Sequence, residues 1–457
     1  MNTTSSDFRQ HAVVLGASMG GLLAARALSS HFARVTLVEK DPVQRQPESR
    51  KGQPQTRHVH GLLGSGRQVM LDFFPGLDQE LLADGALGND FAATMTWYCY
   101  GGYRKSFSIG YNGFSMSRPL LEHHIRERTL ALPNLTLLDN ASARRLETTP
   151  NRQRITGGGA ITAGGDITAV VIQTGAGEQT LAADLVVDAT GRGSRTPQWL
   201  VELGFPAPAE DEARVNLAYA TRTFRRDDSV PYHNNWLLCT PDAPRETRIG
   251  TAFPIEDQRW IMTVGGWHGD HCPADEAAYA DFVHSLPMQE LHEIADRCEP
   301  LTPVITHKFP ASLRRRYDRL PRFPVGLLAL GDSVASFNPI YGQGMSSAAL
   351  QARELDQVLA AGPTPEQLAP VFFKRTGRIL DNLWQAAVGE DFRFPQTTGV
   401  RPPGTDLINR YIARLNRVSH HDEVVCAAFL NVMNLFAPPT SLLSPRIAWR
   451  VFTGQAA

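Results

Sequence analysis

Residues 11–40 leave this chain little freedom. His11 to Leu15 is a short apolar run, and the glycine-rich GASMGG follows at 16–21. Gly20 to Leu28 has helical apolar spacing, and Arg34 to Glu39 is rich in β-branched residues and ends in an acid. Strand, glycine turn, helix and strand in that order form a βαβ unit. The expected fold class is therefore α/β.

The turn suits an anion. Gly16 permits a tight turn, Gly21 permits close helix–strand packing, and Gly20 adds room; Ser18 stands where GxGxxG usually has its second glycine. The helix N-terminus offers unpaired N–H groups and a partial positive charge to a pyrophosphate. Glu39, with Lys40 beside it, falls about 20 residues on, where an acid accepts hydrogen bonds from an adenosine ribose. The glycines alone also fit a structural turn; the βαβ setting and Glu39 favour a nucleotide.

A second signal lies far downstream. An apolar run, Val325 to Leu330, reads as a buried strand and leads into GDSVASFNPIYGQGMSSAAL at 331–350. Asp332 follows the strand directly, Pro339 fixes a turn, and Gly342 and Gly344 let backbone approach a flat ring. Met345 opens a helix expected to reach Ala360. Its N-terminal amides would stabilise negative charge. Two such signals at opposite ends of one chain point to one long ligand gripped twice.

Composition narrows the class. The 457 residues are 42% hydrophobic and 20% charged with a net charge of −1, which gives no electrostatic case for nucleic acid. Five scattered cysteines without a CxxC pair read as reduced thiols. The start MNTTSSDFRQH lacks a signal-peptide pattern, and no apolar stretch is long enough to span a bilayer, so a cytoplasmic location is expected.

Between the two signals the chain alternates. A loop, TRHVHGLL, precedes two helical runs ending near Phe74 and Leu87. Two aromatic strands occupy 91–109, a helix runs from Pro119 to Ala131, and glycine-punctuated strands fill 135–187 up to DATGRGSR. Residues 209–320 predict an antiparallel sheet with one helix near 274–286. Helices are expected over 365–387 and 405–434, across a Pro/Gly linker at 395–404.

Together, GASMGG with Glu39, DATGRGSR at 188–195 and GDSVASFNPIYGQGM at 331–345 resemble three motifs of FAD-dependent monooxygenases related to p-hydroxybenzoate hydroxylase and squalene epoxidase. The look is nearest to bacterial epoxidases and hydroxylases of natural products and covers roughly residues 11–360. The resemblance implies a Rossmann-like FAD domain of glutathione-reductase type, an interleaved antiparallel-sheet substrate domain and a C-terminal helical region. The implied boundaries are 1–90, 118–208 and 321–364 for FAD binding, 91–117 and 209–320 for substrate, and 365–457 for the helices.

By the same resemblance, Asp332 bonds the ribityl chain, while Gly344 and Met345 meet the pyrimidine edge. Arg118 in SRPLLE and Arg57 in RHVHGLL reach the FAD. The middle motif departs from the family, with Thr190 rather than an aspartate before Gly191. Reductant is then NAD(P)H, used directly or through a separate flavin reductase. Reduced FAD and O₂ would give a C4a-hydroperoxide that oxidises a hydrophobic natural product by epoxidation or hydroxylation. No side chain is assigned to catalysis.

The aromatic block offers Tyr219, His233, Trp236, Phe253, Trp260, Met262 and Trp267 as pocket candidates, against the alternative that they are core. His58 and His60 lack the cluster that a metal needs. Arg314 to Arg316 reads as a solvated or phosphate-facing turn. Rival readings are a flavin reductase or desaturase of the geranylgeranyl-reductase kind, a non-catalytic FAD protein, and a halogenase, which would want a W-x-W segment absent here.

Overall fold

The computed structural model describes residues 7–50, 52–149, 154–155, 161–162, 165–232 and 234–454. His233 and the GGG at 157–159 lie outside them. The α/β class holds, built on two main sheets. The first is five-stranded and fully parallel, in the order Leu327–Ala329, Leu185–Asp188, His11–Leu15, Arg34–Val38, Leu135–Leu138. His11–Leu15 and Leu185–Asp188 are buried along their whole length, as central parallel strands covered on both faces must be. Helix Met19–Ser29 packs against both Arg118–Leu130 and Gly344–Ala360. A three-stranded antiparallel sheet, Ser142–Thr148, Ile167–Thr174 and Gly177–Ala182, sends Ile167, Val170 and Ile172 into the same core.

The second sheet is larger. Its path runs Ala335–Ser336, Ile305–Arg315, Glu210–Arg225, Arg259–Gly266, Arg248–Ile255, Trp236–Thr240, Met95–Cys99, Gly102–Tyr103. Neighbours are antiparallel except Trp236–Thr240 on Met95–Cys99, which pair in parallel. Two helices cover one face, Glu276–His284 and Gln289–Arg297, where the sequence suggested one. The second buries only Leu291 and Ile294, too few apolar residues to show a period.

Five residues, 330–334, join the sheets at one crossing. The chain leaves the first at Ala329 and pairs with the second from Ala335, so Asp332 sits in the seam.

The C-terminal region is helical but divided differently from expectation. Pro365–Asp391 runs four residues longer than the 365–387 reading. The stretch 405–434 is two helices, Thr405–Val418 and Glu423–Met433, because Asp422 caps the amides of Val424 and Val425 and starts a new helix. Within the linker, Thr398–Gly399 adds a short strand to Glu210–Arg225.

The arginine triplet is neither solvated nor phosphate-facing. Arg314, Arg315 and Arg316 are buried. Arg314 reaches Asp381 (2.7 Å) and the Gly377 carbonyl, Arg315 reaches Glu210 and the Ser333 carbonyl, and Arg316 reaches Asp318. The triplet ties the second sheet to the seam and to the helix Pro365–Asp391.

Candidate functional site

Both glycine-rich segments open on one cavity of about 770 Å³. At one end, Gly16 adopts φ +98°, and a Cβ there would meet the Ala189 carbonyl at 2.7 Å; a Cβ on Gly21 would lie 1.7 Å from the Gly16 carbonyl. Glycine is therefore required at both. Gly16, Ser18, Gly20, Glu39 and Lys40 line the cavity. Gly21 is not among the lining residues and acts through packing. The Glu39 carboxylate accepts from the amides of Ala17 (2.7 Å) and Asp41 (3.1 Å), which fixes the turn to the end of the second strand.

Behind this end lies a buried charge network. Glu122 accepts from Arg118 (2.8 Å) and from Arg50 (3.0 Å), and Arg50 also sits 3.5 Å from Glu39. Arg118 lines the cavity. Arg57 does not. It ends the short turn Pro54–Arg57, which buries Thr56 and leaves Arg57 exposed. The buried arginine of that region is Arg50, from a segment with no local signal.

In the middle, Asp188 of DATGRGSR is a structural hub rather than a ligand group. It accepts from the Thr190 amide (2.9 Å) and from the hydroxyls of Thr190, Ser194 and Thr196, each at 2.6 Å. Asp332 opens onto the cavity and makes no hydrogen bond to a described residue. Surrounding protein pushes its carboxyl up to about 6, against the pull of Arg118 and Arg192. Arg192 lines the cavity too and was missed by sequence reasoning, although it stands inside a recognised motif.

At the far end, Pro339, Gly342, Gly344 and Met345 line the cavity. Gly342 has φ +64°, and a Cβ on Gly344 would project into open space. Asp391 props this loop from below. It is fully buried and accepts from Asn338 Nδ2 (2.8 Å), Tyr341 Oη (2.9 Å) and Trp267 Nε1 (3.3 Å). Burial pushes its carboxyl up to about 7 despite those donors.

The second sheet supplies the remaining wall. Of the pocket candidates, Tyr219, Trp236 and Phe253 line the cavity, with Leu238, Ile249, Thr251, Thr263, His307 and Phe309. Trp260, Met262 and Trp267 do not. Side chains alternate along Arg259–Gly266, so Thr263 faces the cavity while Trp260 and Met262 enter the core beneath the two covering helices. Trp267 packs on Phe394 and donates to Asp391. His58, His60 and His307 also line the cavity. Burial lowers His58 to about 3 and His60 to about 4, and lowers His307 as well. No group of three or more metal-ligating side chains occurs among the described residues, and no described helix is long and apolar enough to cross a membrane.

No protein-family model matches the chain. Protein Rv3254 of Mycobacterium tuberculosis is 34% identical over 456 residues, covering 93% of this chain and 90% of that protein. Among solved structures, a flavoprotein/dehydrogenase from Cytophaga hutchinsonii superposes with a TM-score of 0.65 at 13% identity, covering 97% of this chain and 95% of that one. The flavin-dependent brominase Bmp2 gives 0.62 at 14% identity, covering 93% and 94%. A 2-methyl-3-hydroxypyridine-5-carboxylic acid oxygenase gives 0.60 at 20%, covering 84% and 90%. At these identities the solved structures share the fold of this chain.

Proposed function

We propose that this chain, which belongs to the same family as Protein Rv3254 of Mycobacterium tuberculosis, is an FAD-dependent monooxygenase that places one atom of O₂ into a hydrophobic small molecule by epoxidation or hydroxylation. The observation that carries the reading is the convergence of two distant glycine-rich segments on one cavity.

The residues present fit FAD. The amides opening the helix Met19–Ser29 would receive the pyrophosphate at Gly16, Ser18 and Gly20, and Glu39 and Lys40 would stand at the adenosine end. Asp332 has its hydrogen-bonding capacity unspent within the protein, which suits a polyol chain, with Arg118 close by. Pro339, Gly342, Gly344 and Met345 would border the isoalloxazine, and the open space beside Gly344 leaves room for a ring. FAD, when bound, supplies the oxygen-activating chemistry. The protein's part is to exclude water and orient the substrate with Tyr219, Trp236 and Phe253.

Reductant would be NAD(P)H, used directly or through a partner reductase. The amide and hydroxyl of Thr190 are both spent on Asp188, which favours the partner. Rapid bleaching of the FAD-loaded protein by NADPH alone would reverse that preference.

The decisive experiment is FAD uptake followed by oxygen dependence. The purified protein should be yellow or gain thermal stability with FAD; a colourless protein indifferent to FAD ends the proposal. Substrate turnover that proceeds equally well without O₂ would instead favour a reductase or desaturase on the same fold.

A further inference from the structure

Three polar rings meet in the wall of the cavity. His58 comes from the loop after Arg57, Tyr219 from the strand Glu210–Arg225, and His307 from the strand Ile305–Arg315. Ring centroids are 4.6 Å apart for His58–Tyr219, 5.4 Å for Tyr219–His307 and 5.8 Å for His58–His307. Their neighbours in the wall, Trp236, Leu238, Phe253 and Phe309, are apolar.

The cluster holds unspent hydrogen-bonding capacity. His58 is only 3% exposed, and its Nε2 has no partner. Neither the Tyr219 hydroxyl nor a His307 ring nitrogen bonds to any described residue. A buried polar atom without a partner is costly and rare in folded proteins, so His58 Nε2 calls for an occupant. Tyr219 and the half-buried His307 line the same cavity beside it.

A chain of hydroxyls stands behind His58. The Val59 amide donates to Thr263 Oγ1 (3.1 Å), Thr263 Oγ1 and Thr221 Oγ1 are 2.6 Å apart, and Thr221 Oγ1 is 2.7 Å from His58 Nδ1. With Thr221 donating to Nδ1, the ring proton lies on Nε2 and that nitrogen is a donor; with Nδ1 donating to Thr221, Nε2 is an acceptor. Either tautomer leaves Nε2 one hydrogen bond to make.

Charge limits what that nitrogen can meet. Burial lowers His58 to about 3, lowers His307, and raises Tyr219, so all three rings are neutral near pH 7. Arg118 and Arg192 stand beside Asp332 instead. The cation whose charge reaches His58, Arg57, is exposed and does not line the cavity. A carboxylate would find no positive side chain in this part of the wall.

We propose that His58, Tyr219 and His307 form the polar anchor of the cavity, and that the molecule they hold is an uncharged aromatic or polycyclic compound bearing a hydroxyl or carbonyl oxygen. The inference deepens the monooxygenase reading and rests on it for taking this wall as the substrate side.

The test titrates the FAD-loaded protein at pH 7 with naphthalene, 2-naphthol and 2-naphthoate, reading the visible absorbance of the flavin. Calorimetry on the protein without added FAD gives a second reading. 2-Naphthol should bind about tenfold tighter than naphthalene, the worth of one hydrogen bond, and 2-naphthoate no tighter than naphthalene. The triple variant His58→Phe, Tyr219→Phe, His307→Phe should erase the advantage of 2-naphthol and keep naphthalene binding. Equal binding of 2-naphthol and naphthalene to the natural protein, or an advantage that survives in the triple variant, overturns the anchor. Failure to take up FAD sinks the monooxygenase reading separately, because calorimetry still reads the ligand preference.

Discussion

The two ends of the cavity are built on different principles. The end at Gly16–Glu39 is held by its own neighbourhood: the turn, the strand that follows its helix and the carbonyl of Ala189 fix one another within a parallel sheet. The end at Asn338–Met345 leans on a residue from another region, Asp391, whose single oxygen receives Asn338, Tyr341 and Trp267. A self-contained end tolerates change elsewhere and fails by steric conflict within itself. A propped end fails at a distance and responds to proton concentration.

Gly21→Ala should have the largest effect. Its new Cβ would stand 1.7 Å from the Gly16 carbonyl, and the cost should reach or exceed about 3 kcal/mol of folding stability. Denaturant unfolding that finds less than about 1 kcal/mol would show that this end is looser than its packing implies.

Asp391→Ala comes next, at about 1–3 kcal/mol, because it strands three donors. Amide exchange should quicken in 338–345 and not in 16–21. The same residue gives a pH signature. Its folded-state value of about 7 stands above the ordinary 3.8, so its contribution to stability is complete below about pH 4 and is lost as pH rises through 7. Asp391→Asn should flatten that decline. An unchanged slope in thermal melts between pH 4 and 7 would remove Asp391 as its source.

Asp332→Ala should weaken FAD binding by roughly 1.5–3 kcal/mol while leaving unfolding almost untouched, which separates ligand contact from support. Unaltered affinity by equilibrium fluorescence would exclude Asp332 from the site. Smallest of all, Arg57→Ala should shift both stability and FAD affinity by less than about 0.5 kcal/mol, as expected of an exposed side chain. A larger loss of affinity would restore the role its motif suggested.

What sequence reasoning reached follows the same division. The unit from His11 to Glu39 was legible because its strands, turn and helix are adjacent in the chain and each has a local period. The segment from Asp332 to Met345 was legible as an ordered set, yet its support was not. Asp391 is one acid at a helix end, and nothing near it in sequence tells of Asn338 or Trp267. The wall of the second sheet was half legible. Tyr219, Trp236 and Phe253 look the same in sequence as Trp260 and Met262, because both faces of that sheet are buried and only register tells cavity from core. Arg57 and Arg50 exchanged places for a related reason: burial of a charge depends on partners such as Glu39 and Glu122 that lie far away in the chain. The histidines at 58 and 60 were weighed as metal ligands against a loop packed near the cofactor, and His307, the third ring of the anchor, carried no motif.

The Arg314 clamp bears on how this chain can be shortened. Its guanidinium is 1% exposed, and its partners Asp381 and the Gly377 carbonyl both lie beyond Ala360, where the stretch marked by the three glycine-rich motifs ends. A chain cut at that boundary would keep every glycine signal and leave a bare cation in its middle. The last hundred or so residues are thus a counterion as much as a cover, and a minimal version of this protein has to carry them or give up the arginine.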